Sequence, residues 1–487
     1  MKRTWSRALA LVVLGSTLGL AGLPATTVAV AAATVSTPVD VTNDQFANNE
    51  ESLGVSPSGQ LLAGAWNDWE YNDGCGFSYS TNGGATWAPE TFVPGLTKFT
   101  NDPDVAGTGT FAVAGDPAVA FNSKSGLFDV ICQSFGHTGN QVRLLSTTFD
   151  ASKANPNADV NEAYGAAAWT TPVGVVTATT NGAQKGSNGH FPDHESLTVD
   201  TGDGPGHHFG RLFVTLAQFS GFGRSPIEIA FSDDDGAHWT GPFVLSANNE
   251  QFNQDARAAV GPDGTVYVTW LNGPNEKSLR NNRVMVAKST DGGTTWSASR
   301  AAAAIASPIP GTLPGSTYRI FEDVWPAVDQ VRGTLQIAFT DRTGQSGASN
   351  IYVTHNLVPG NLSSWSTPMA IKPSAGQEFF PWIDSAPGGR VDVVFYDRTC
   401  DLPANVENCV TLSSSTDGGL TWTNTALTSA GFDGDHFHAC LAFTVGDCGR
   451  TFLGDYIAVE SNDATAQVLY TGNGANAMDV FSVHADF

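Results

Sequence analysis

Short apolar runs recur along the whole chain, separated by turns rich in glycine, asparagine and aspartate. Seven stretches share one arrangement, in which a short apolar strand, a glycine-containing turn and a longer apolar strand follow one another; we name the two strands A and B. These stretches begin near Glu51, Asp116, His194, Asp255, Asp323, Pro381 and Asp455. Their mean spacing is about 65 residues, and beyond the N-terminus no long stretch has a helical period. The pattern predicts an all-β protein that is built from repeats.

A second motif follows strand B in four of the repeats. It reads STNGGATW from Ser80, SDDDGAHW from Ser232, STDGGTTW from Ser289 and STDGGLTW from Ser415. The central glycines permit a positive φ, the Asp or Asn side chain can bond back to the turn, and the Trp covers the apolar side of a hairpin. We therefore predict that each octapeptide is the turn between two further strands, C and D.

Four antiparallel strands per repeat, arranged in a closed ring, form a β-propeller that leaves few strand edges free. We predict seven blades, with six as the alternative. The last repeat has strands A, B and C but no D before the chain ends at Phe487, so we expect the segment TVSTPVDVTND near the N-terminus to complete that blade. No Pro/Ser-rich linker divides the chain, which favours one domain over residues 34–487 rather than two unrelated β domains.

The charge balance limits the partners of the protein. The chain has 487 residues, only 14% of them charged, and a formal net charge of −24. Such a chain repels nucleic acid and anionic membranes, so we expect neither as a partner. The acidic excess serves solubility, or some acidic loops hold Ca²⁺ as a structural ion. We expect no required cofactor, and we expect a monomer.

The N-terminus is typical of a secretory signal peptide. Lys2, Arg3 and Arg7 precede an apolar run that ends in small residues around Ala31 to Ala33. The alternative is a membrane anchor, but Gly, Pro and Thr interrupt the run before it reaches a length of about 20 apolar residues. We therefore assign residues 1–33 to a signal peptide and expect a secreted protein.

Six cysteines in an exported chain favour disulfides. Two pairs are close in sequence and a third would be long-range, although the sequence does not fix the connectivity: Cys400 with Cys409, Cys440 with Cys448, and Cys75 with Cys132. His436 and His438 beside Cys440 could instead bind Zn²⁺. The disulfide interpretation uses both local cysteines, so we predict no metal there.

The octapeptides match the Asp-box, S-x-D-x-G-x-T-W, also called the BNR repeat, and the chain resembles the sialidase-like propellers. In that superfamily Asp-boxes lie in the C–D hairpins, away from the active site. The resemblance therefore implies structural roles for Asp291, Asp417, Asn82 and Asp234. Sialidases have six blades and an early F-R-I-P motif that supplies one of three carboxylate-binding arginines. This chain has no such motif; the nearest string is YRIF, residues 318–321.

Polar residues concentrate at one predicted mouth of the propeller. If strands alternate in direction, the starts of the A strands and the ends of the B strands share one face. Acidic residues begin strand A in six of seven repeats, and the strings FTDR and FYDR put Arg342 and Arg398 at B-strand ends. Either the acids cap backbone groups and pair with the arginines, or the arginines bind a substrate carboxylate in a fork. The candidate substrate-binding residues are Arg342, Arg398, Arg257, Asp193, Glu195 and Asp116, with Arg319 as an alternative third arginine.

The resemblance also implies a chemistry, since retaining sialidases use a Tyr nucleophile that is assisted by a Glu. Tyr456 is the candidate nucleophile. Glu322 or Glu195 would activate it, and Asp193, Asp255 or Asp323 would be the general acid. We predict a secreted, sialidase-type hydrolase that acts on acidic extracellular glycans. The alternatives are a non-catalytic propeller that binds glycan or protein, and a polysaccharide lyase in which Arg neutralises a uronate and Tyr or His removes a proton.

Overall fold

The chain forms seven antiparallel sheets that follow one another along the sequence. The structure, a computed structural model, describes residues 33–69, 74–98, 105–136, 143–175, 190–220, 224–273, 282–309, 311–437 and 451–487. Within these ranges the only helices are three single turns of 3₁₀-helix: Val160–Glu162, Gln345–Gly347 and Thr399–Asp401. None of the described helices is long and apolar enough to span a membrane.

Each sheet is a blade whose strands run in the order A, B, C, D. The A strands are Asn48–Val55, Val113–Asn122, His190–Val199, Phe252–Val260, Val324–Val328, Glu378–Ser385 and Ala458–Ser461. The B strands are Leu62–Asp68, Leu127–Phe135, Leu212–Ser220, Val266–Gly273, Leu335–Asp341, Val391–Asp397 and Thr465–Asn473. The C strands are Gly74–Ser80, Arg143–Phe149, Ile227–Ser232, Arg283–Ser289, Asn350–His355, Cys409–Ser415 and Met478–Asp486. The D strands of blades 1 to 6 are Thr91–Phe92, Val173–Gly174, Thr240–Val244, Arg300–Ala304, Met369–Ala370 and Thr423–Ala426.

The N-terminal segment closes the ring, as the sequence predicts. Thr34–Val35 and Val39–Asp40 both pair antiparallel with Met478–Asp486, the last strand of blade 7. The A strands of successive blades contact one another, and the A strand of blade 7 contacts that of blade 1. The prediction of seven blades is therefore confirmed, and the six-bladed alternative is wrong.

The Asp-box octapeptides form the C–D turns. In blade 4, Asp291 accepts hydrogen bonds from the Thr295 amide at 2.8 Å and from the Ser289 hydroxyl at 2.7 Å. The Trp296 indole donates to the Gly293 carbonyl at 2.9 Å, so the turn is closed by its own side chains. The corresponding side chains in blades 1, 3 and 6 also bond to their own turns: Asn82, Asp234 and Asp417.

Two of the three predicted disulfides are present. Cys75–Cys132 joins strand C of blade 1 to strand B of blade 2, and Cys400–Cys409 closes a short loop in blade 6. The pair Cys440 with Cys448 lies outside the described residues, as do His438 and residues 1–32 of the expected signal peptide.

A β-bulge shapes the start of five A strands. Its first residue has positive φ in every case: 59° at Glu50, 48° at Asp116, 51° at His194, 53° at Asp255 and 51° at Phe380. Because a bulge bends the strand and redirects its side chains, these residues leave the regular sheet pattern at the mouth. Strand pairing assigns the same position to Asp323 in blade 5 and Tyr456 in blade 7. We name the seven residues at this position the axial ring: Glu50, Asp116, His194, Asp255, Asp323, Phe380 and Tyr456.

Candidate active site

The axial ring gathers charged groups from blades that are far apart in sequence. The pKa of Tyr456 in blade 7 is raised well above its usual range by burial and by carboxylates of blades 1, 2 and 3. Those carboxylates are Glu50, Asp116 and Glu195, which come from three successive blades next to blade 7. The mouth at the A-strand starts is therefore one shared site.

His194 and Asp255 form the most buried ion pair of the ring. The Nδ1 atom of His194 lies 3.0 Å from Oδ1 of Asp255, and their side chains are 9% and 0% exposed. Burial alone would lower the pKa of His194, but Asp255 and Asp193 raise it to about 10. The imidazole is therefore protonated at neutral pH and adds a positive charge to the mouth. Phe321 packs edge-on against this imidazole at 5.3 Å between ring centroids.

Glu50 and Asp116 form a carboxyl pair on the side of His194 that is away from Asp255. The side chain of Asn67 links them, because its Nδ2 donates to Glu50 and its Oδ1 accepts from the Asp116 amide at 2.7 Å. Burial and the neighbouring Asp116 raise the pKa of Glu50 well above its usual range, and burial and Asp193 raise the pKa of Asp116. Two carboxyls in contact cannot both ionise easily, so the pair retains a proton.

Tyr456 and Glu195 are both buried at the mouth, and the Glu195 carboxylate is close enough to raise the pKa of Tyr456. Tyr456 is 8% exposed and Glu195 is 7% exposed. Neither carboxylate oxygen of Glu195 makes a hydrogen bond with a described residue. Burial, followed by Asp116, raises the pKa of Glu195 well above its usual range. An unbonded carboxyl within electrostatic range of a phenol is a candidate for proton transfer.

Arg257 supplies a buried guanidinium below the ring. Its Nη1 donates to the carbonyls of His194 at 2.8 Å and Ala256 at 3.2 Å, while its Nε makes no hydrogen bond with a described residue. Its Cζ lies 4.4 Å from the Trp325 ring centroid and 6.0 Å from that of Tyr456. This cation is held by two backbone carbonyls and by aromatic rings, and no ion pair within the described residues neutralises it.

Arg319 stands at the rim of the mouth and belongs to the YRIF string. Its Nε donates to Oδ1 of Asp455 at 3.0 Å, its Nη2 donates to Oδ2, and its Nη1 makes no hydrogen bond with a described residue. The Arg319 side chain is 58% exposed, whereas that of Asp455 is 2% exposed. Asp455 thus orients an arginine that still has donors available to a ligand.

Asp323 and Glu322 have different surroundings although they are adjacent in sequence. Asp323 accepts from the Trp325 indole at 2.8 Å, and burial together with Asp255 raises its pKa to about 7. Glu322 lies off the axis, where its Oε1 accepts from the Ile309 amide and burial raises its pKa to about 7. Asp323 therefore belongs to the axial ring, and Glu322 is held behind it.

Arg398 is not presented to the mouth. All of its donors are taken by protein oxygens, belonging to Asn408, Pro314, Asn405, Ser316 and Tyr318. The structure thus gives no support to the predicted substrate-binding role of Arg398, because no N–H group remains for a ligand.

Arg342 follows strand B of blade 5 and is half-buried. Its side chain makes no hydrogen bond or ion pair with a described residue, so its predicted role stays a prediction.

Two tryptophans close the polar mouth below the axial ring. Trp325 and Trp382 stack there with their ring centroids 3.4 Å apart.

Among the charged residues of the site, His194 has no role in the sequence-based prediction. Glu50 and Asp455 are predicted only as acidic residues at A-strand starts, and Arg319 only as an alternative third arginine. The register of the A strands was the signal for Glu50 and His194, because both occupy the same repeat position as Asp116, Asp255 and Asp323. Arg319 lies in the connection between blades 4 and 5, where the repeat has no regular position.

Comparisons with known proteins bear on the fold. No protein-family model and no curated protein sequence matches the chain. The solved structure of Hadza microbial sialidase Hz136 matches at 15% identity over 92% of this chain and 68% of that chain, with a TM-score of 0.44. The NanB sialidase of Streptococcus pneumoniae matches at 12% identity over 73% of this chain and 66% of its own, also at 0.44. A PL25 ulvan lyase bound to -[GlcA(1-4)Rha3S]- matches at 12% identity over 92% and 96%, with a TM-score of 0.50. At such identities the likeness concerns architecture alone: the chain folds as a seven-bladed β-propeller with four Asp-box turns.

Proposed function

We propose that the protein is a glycan-active enzyme that works at the axial ring and hydrolyses an acidic saccharide in the manner of a sialidase. The observation that supports this proposal most strongly is the surroundings of Tyr456. Its buried phenol lies within electrostatic range of the unbonded Glu195 carboxyl and of the Arg257 guanidinium. A purely structural ring would satisfy such buried groups by pairing them.

Recognition of a carboxylate substrate falls to the positive groups of the mouth. Arg319 is exposed at the rim with a free Nη1, Arg257 lies deeper, and the His194 imidazolium adds a third positive charge. Arginine forks match carboxylate geometry, so Arg319 is the first contact and Arg257 the deeper one. These two take the place that sequence analysis gave to Arg342 and Arg398.

The acidic substrate explains why a phenol serves better than a carboxylate as nucleophile. Glu195 acts in its ionised form: its carboxylate takes the phenolic proton of Tyr456, whose oxygen then attacks the anomeric carbon. The bond to the leaving oxygen breaks, and Asp116, whose pKa is raised by burial and by Asp193, donates a proton to that oxygen. Water then cleaves the tyrosyl intermediate, and Glu195 and Asp116 exchange roles.

A polysaccharide lyase is the second candidate, and the protonated His194 is the observation that favours it. An imidazolium paired with Asp255, together with Arg257, would neutralise a uronate and make its C5 proton more acidic. Glu195 would take the phenolic proton of Tyr456, and the phenolate would remove the C5 proton. The C4–O bond would then break with formation of a C4–C5 double bond, and the proton on Tyr456 would pass to the leaving oxygen.

A secreted location forms part of the proposal. It is supported by the N-terminal sequence and by the disulfides Cys75–Cys132 and Cys400–Cys409.

The experiment is an activity screen of the purified protein on 4-methylumbelliferyl sialoside and on uronate-containing polysaccharides. Release of the fluorescent label indicates hydrolysis, and an unsaturated product that absorbs ultraviolet light indicates a lyase. Arg319→Ala should raise KM for the active substrate by roughly 10- to 100-fold, since it removes a charge-assisted contact. Arg300→Ala, on the outer D strand of blade 4, is the matched control. Binding of acidic glycans without turnover of any of them would refute both enzymatic candidates.

A further inference from the structure

A cavity of about 840 Å³ opens at the other end of the propeller axis, among the ends of the A strands. The stacked rings of Trp325 and Trp382 form its inner end and separate it from the axial ring. We name it the distal cavity. Small side chains line one side of the distal cavity, namely Ala120, Ala259 and Ala327 of blades 2, 4 and 5. The absence of bulky side chains there is what leaves the space.

The charge of the distal cavity is entirely negative. Its lining includes four carboxylates and no lysine, arginine or histidine: Asp203, Asp384, Glu460 and Asp463. Aromatic and apolar groups make up much of the remaining wall, including Phe121, Phe209 and the two tryptophans. This chemistry is the reverse of the arginine-bearing mouth, so an acidic glycan is not the ligand that fits here.

Two of these carboxylates, Asp384 and Glu460, lie on the adjacent A strands of blades 6 and 7 and face each other. Asp384 accepts a hydrogen bond from the Ser461 amide at 2.7 Å, whereas Glu460 is half-buried and its carboxylate makes no side-chain hydrogen bond or ion pair with a described residue. Burial and the neighbouring Asp384 raise the pKa of Glu460 well above its usual range. A bound cation would relieve this repulsion.

Burial raises the pKa of Asp384, and the cation that opposes this rise, Arg390, is already engaged. Arg390 donates to Asp392 at 2.9 Å and to the carbonyls of Asn462 at 2.7 Å and Asp463 at 3.0 Å. Its guanidinium also covers the ring of Phe487 at 3.7 Å. Arg390 therefore supports the turn after strand A of blade 7 and leaves the carboxylate of Glu460 uncompensated.

We propose that the distal cavity binds a small organic ammonium ion, with Asp384 and Glu460 facing its charge and Trp382 facing its alkyl groups. Aromatic rings and carboxylates together select such ions through cation–π and charge attraction. A metal ion fits less well, because no group of three or more His, Cys, Asp or Glu side chains in the described part of the chain could hold one. The proposal is independent of the activity proposed for the axial ring.

The test is isothermal titration calorimetry of the full protein with choline and, separately, with glucosamine. The uncharged partners of equal shape are 3,3-dimethyl-1-butanol for choline and glucose for glucosamine. We expect the charged member of at least one pair to bind with one-to-one stoichiometry and to quench tryptophan fluorescence. Its uncharged partner should bind at least about 10-fold more weakly. Which amine binds decides between a quaternary ammonium and an amino sugar.

Variants connect the binding to the cavity. Glu460→Gln and Asp384→Asn should each weaken binding by about 10-fold or more, whereas Glu162→Gln, in the exposed 3₁₀ turn of blade 2, should leave it unchanged. Equal binding of the charged and the uncharged member in both pairs would overturn the proposal, and that comparison needs only the unmodified protein. Absence of binding by both amines, or binding that survives both cavity substitutions, would overturn it as well.

Discussion

Arg398 donates a hydrogen bond to the phenolic oxygen of Tyr318 at 2.5 Å, and Tyr318 directly precedes the rim arginine, Arg319. The same guanidinium also binds the Pro314 carbonyl at 3.0 Å, and Tyr318 is fully buried. Arg398 therefore fastens the connection between blades 4 and 5 to blade 6. This connection is the segment that carries Arg319 to the mouth.

Replacing Arg398 by alanine should act on stability first and on catalysis through Arg319. The substitution leaves several buried oxygens without a donor, so we expect a loss of roughly 3 kcal/mol in the free energy of unfolding. Urea unfolding measures this loss. Arg398→Lys keeps the charge but lacks the planar fork, and it should recover only part of it. A variant that keeps full stability yet no longer binds substrate would instead restore the role that sequence analysis gave to Arg398.

The fold was accessible from sequence because its signals are local and repeated. Each octapeptide closes its own turn through bonds such as Asp291 to Thr295, so the motif is visible without knowledge of the rest of the chain. The missing D strand of the last repeat likewise required a partner, and the residues from Thr34 onward were the unassigned strand. Local geometry and the need to close the ring were enough to give seven blades.

The site was only partly accessible, because its members are selected by contacts between distant segments. The strings FTDR and FYDR look alike, yet Arg398 is engaged by the connection around Pro314, and no repeat pattern encodes that contact. His194 reads as an ordinary histidine until strand pairing places it at the bulge position, 3.0 Å from Asp255. Spatial neighbours, rather than residue type, decide which polar groups of the mouth remain open to a ligand.

The Asp-box turns should contribute to stability but not to activity. Asp291→Ala removes three short hydrogen bonds within an exposed turn, so we expect a loss of roughly 1 kcal/mol in the free energy of unfolding. Bonds from Thr295 lower the pKa of Asp291 to about 2. Its contribution is therefore complete above the unfolded pKa of 3.8 and is lost as the pH falls toward 2.

Thermal unfolding of wild-type protein and of the Asp291→Ala variant between pH 2 and pH 6 measures this difference. The stabilities of the wild-type protein and the variant should become equal near pH 2. Asn82, at the same position in blade 1, has no charge to lose, so Asn82→Ala serves as the control whose effect should not change with pH in this range. A large loss of catalytic activity in Asp291→Ala at neutral pH would contradict a purely structural role.

The His194–Asp255 pair should make stability depend on pH on the alkaline side. The pKa of His194 is raised from 6.5 to about 10 in the folded protein, so the folded state binds more protons than the unfolded state between these values. The stabilisation is therefore complete below pH 6.5 and is lost as the pH rises through about 10. His194→Gln should remove this alkaline decline in the free energy of unfolding. The control His355→Gln, on an outer strand of blade 5, should retain the decline.

Breaking the same pair at neutral pH tests its strength. Asp255→Asn leaves a buried imidazolium without its partner, and removal of one partner of a buried pair costs roughly 3–5 kcal/mol. Urea unfolding at pH 7 compares this variant with wild type. If Asp255→Asn proved neutral while His194 still titrated near 10, then Asp193 rather than Asp255 would be the dominant partner.

The substitution Tyr456→Phe tests whether Tyr456 acts as a catalytic phenol or only as a packed aromatic ring. Loss of the hydroxyl should lower kcat by at least about 100-fold with little change in KM, because the ring that faces Arg257 is retained. The free energy of unfolding should change little, since the buried ring is kept and the Tyr456 hydroxyl makes no hydrogen bond with a described residue. Tyr352→Phe, whose hydroxyl accepts from Thr343 on the outside of blade 5, is the matched control. Full activity in Tyr456→Phe would exclude the tyrosyl intermediate and also the lyase role of this residue, and it would leave Glu195 and Asp116 acting on water directly as the surviving acid–base pair.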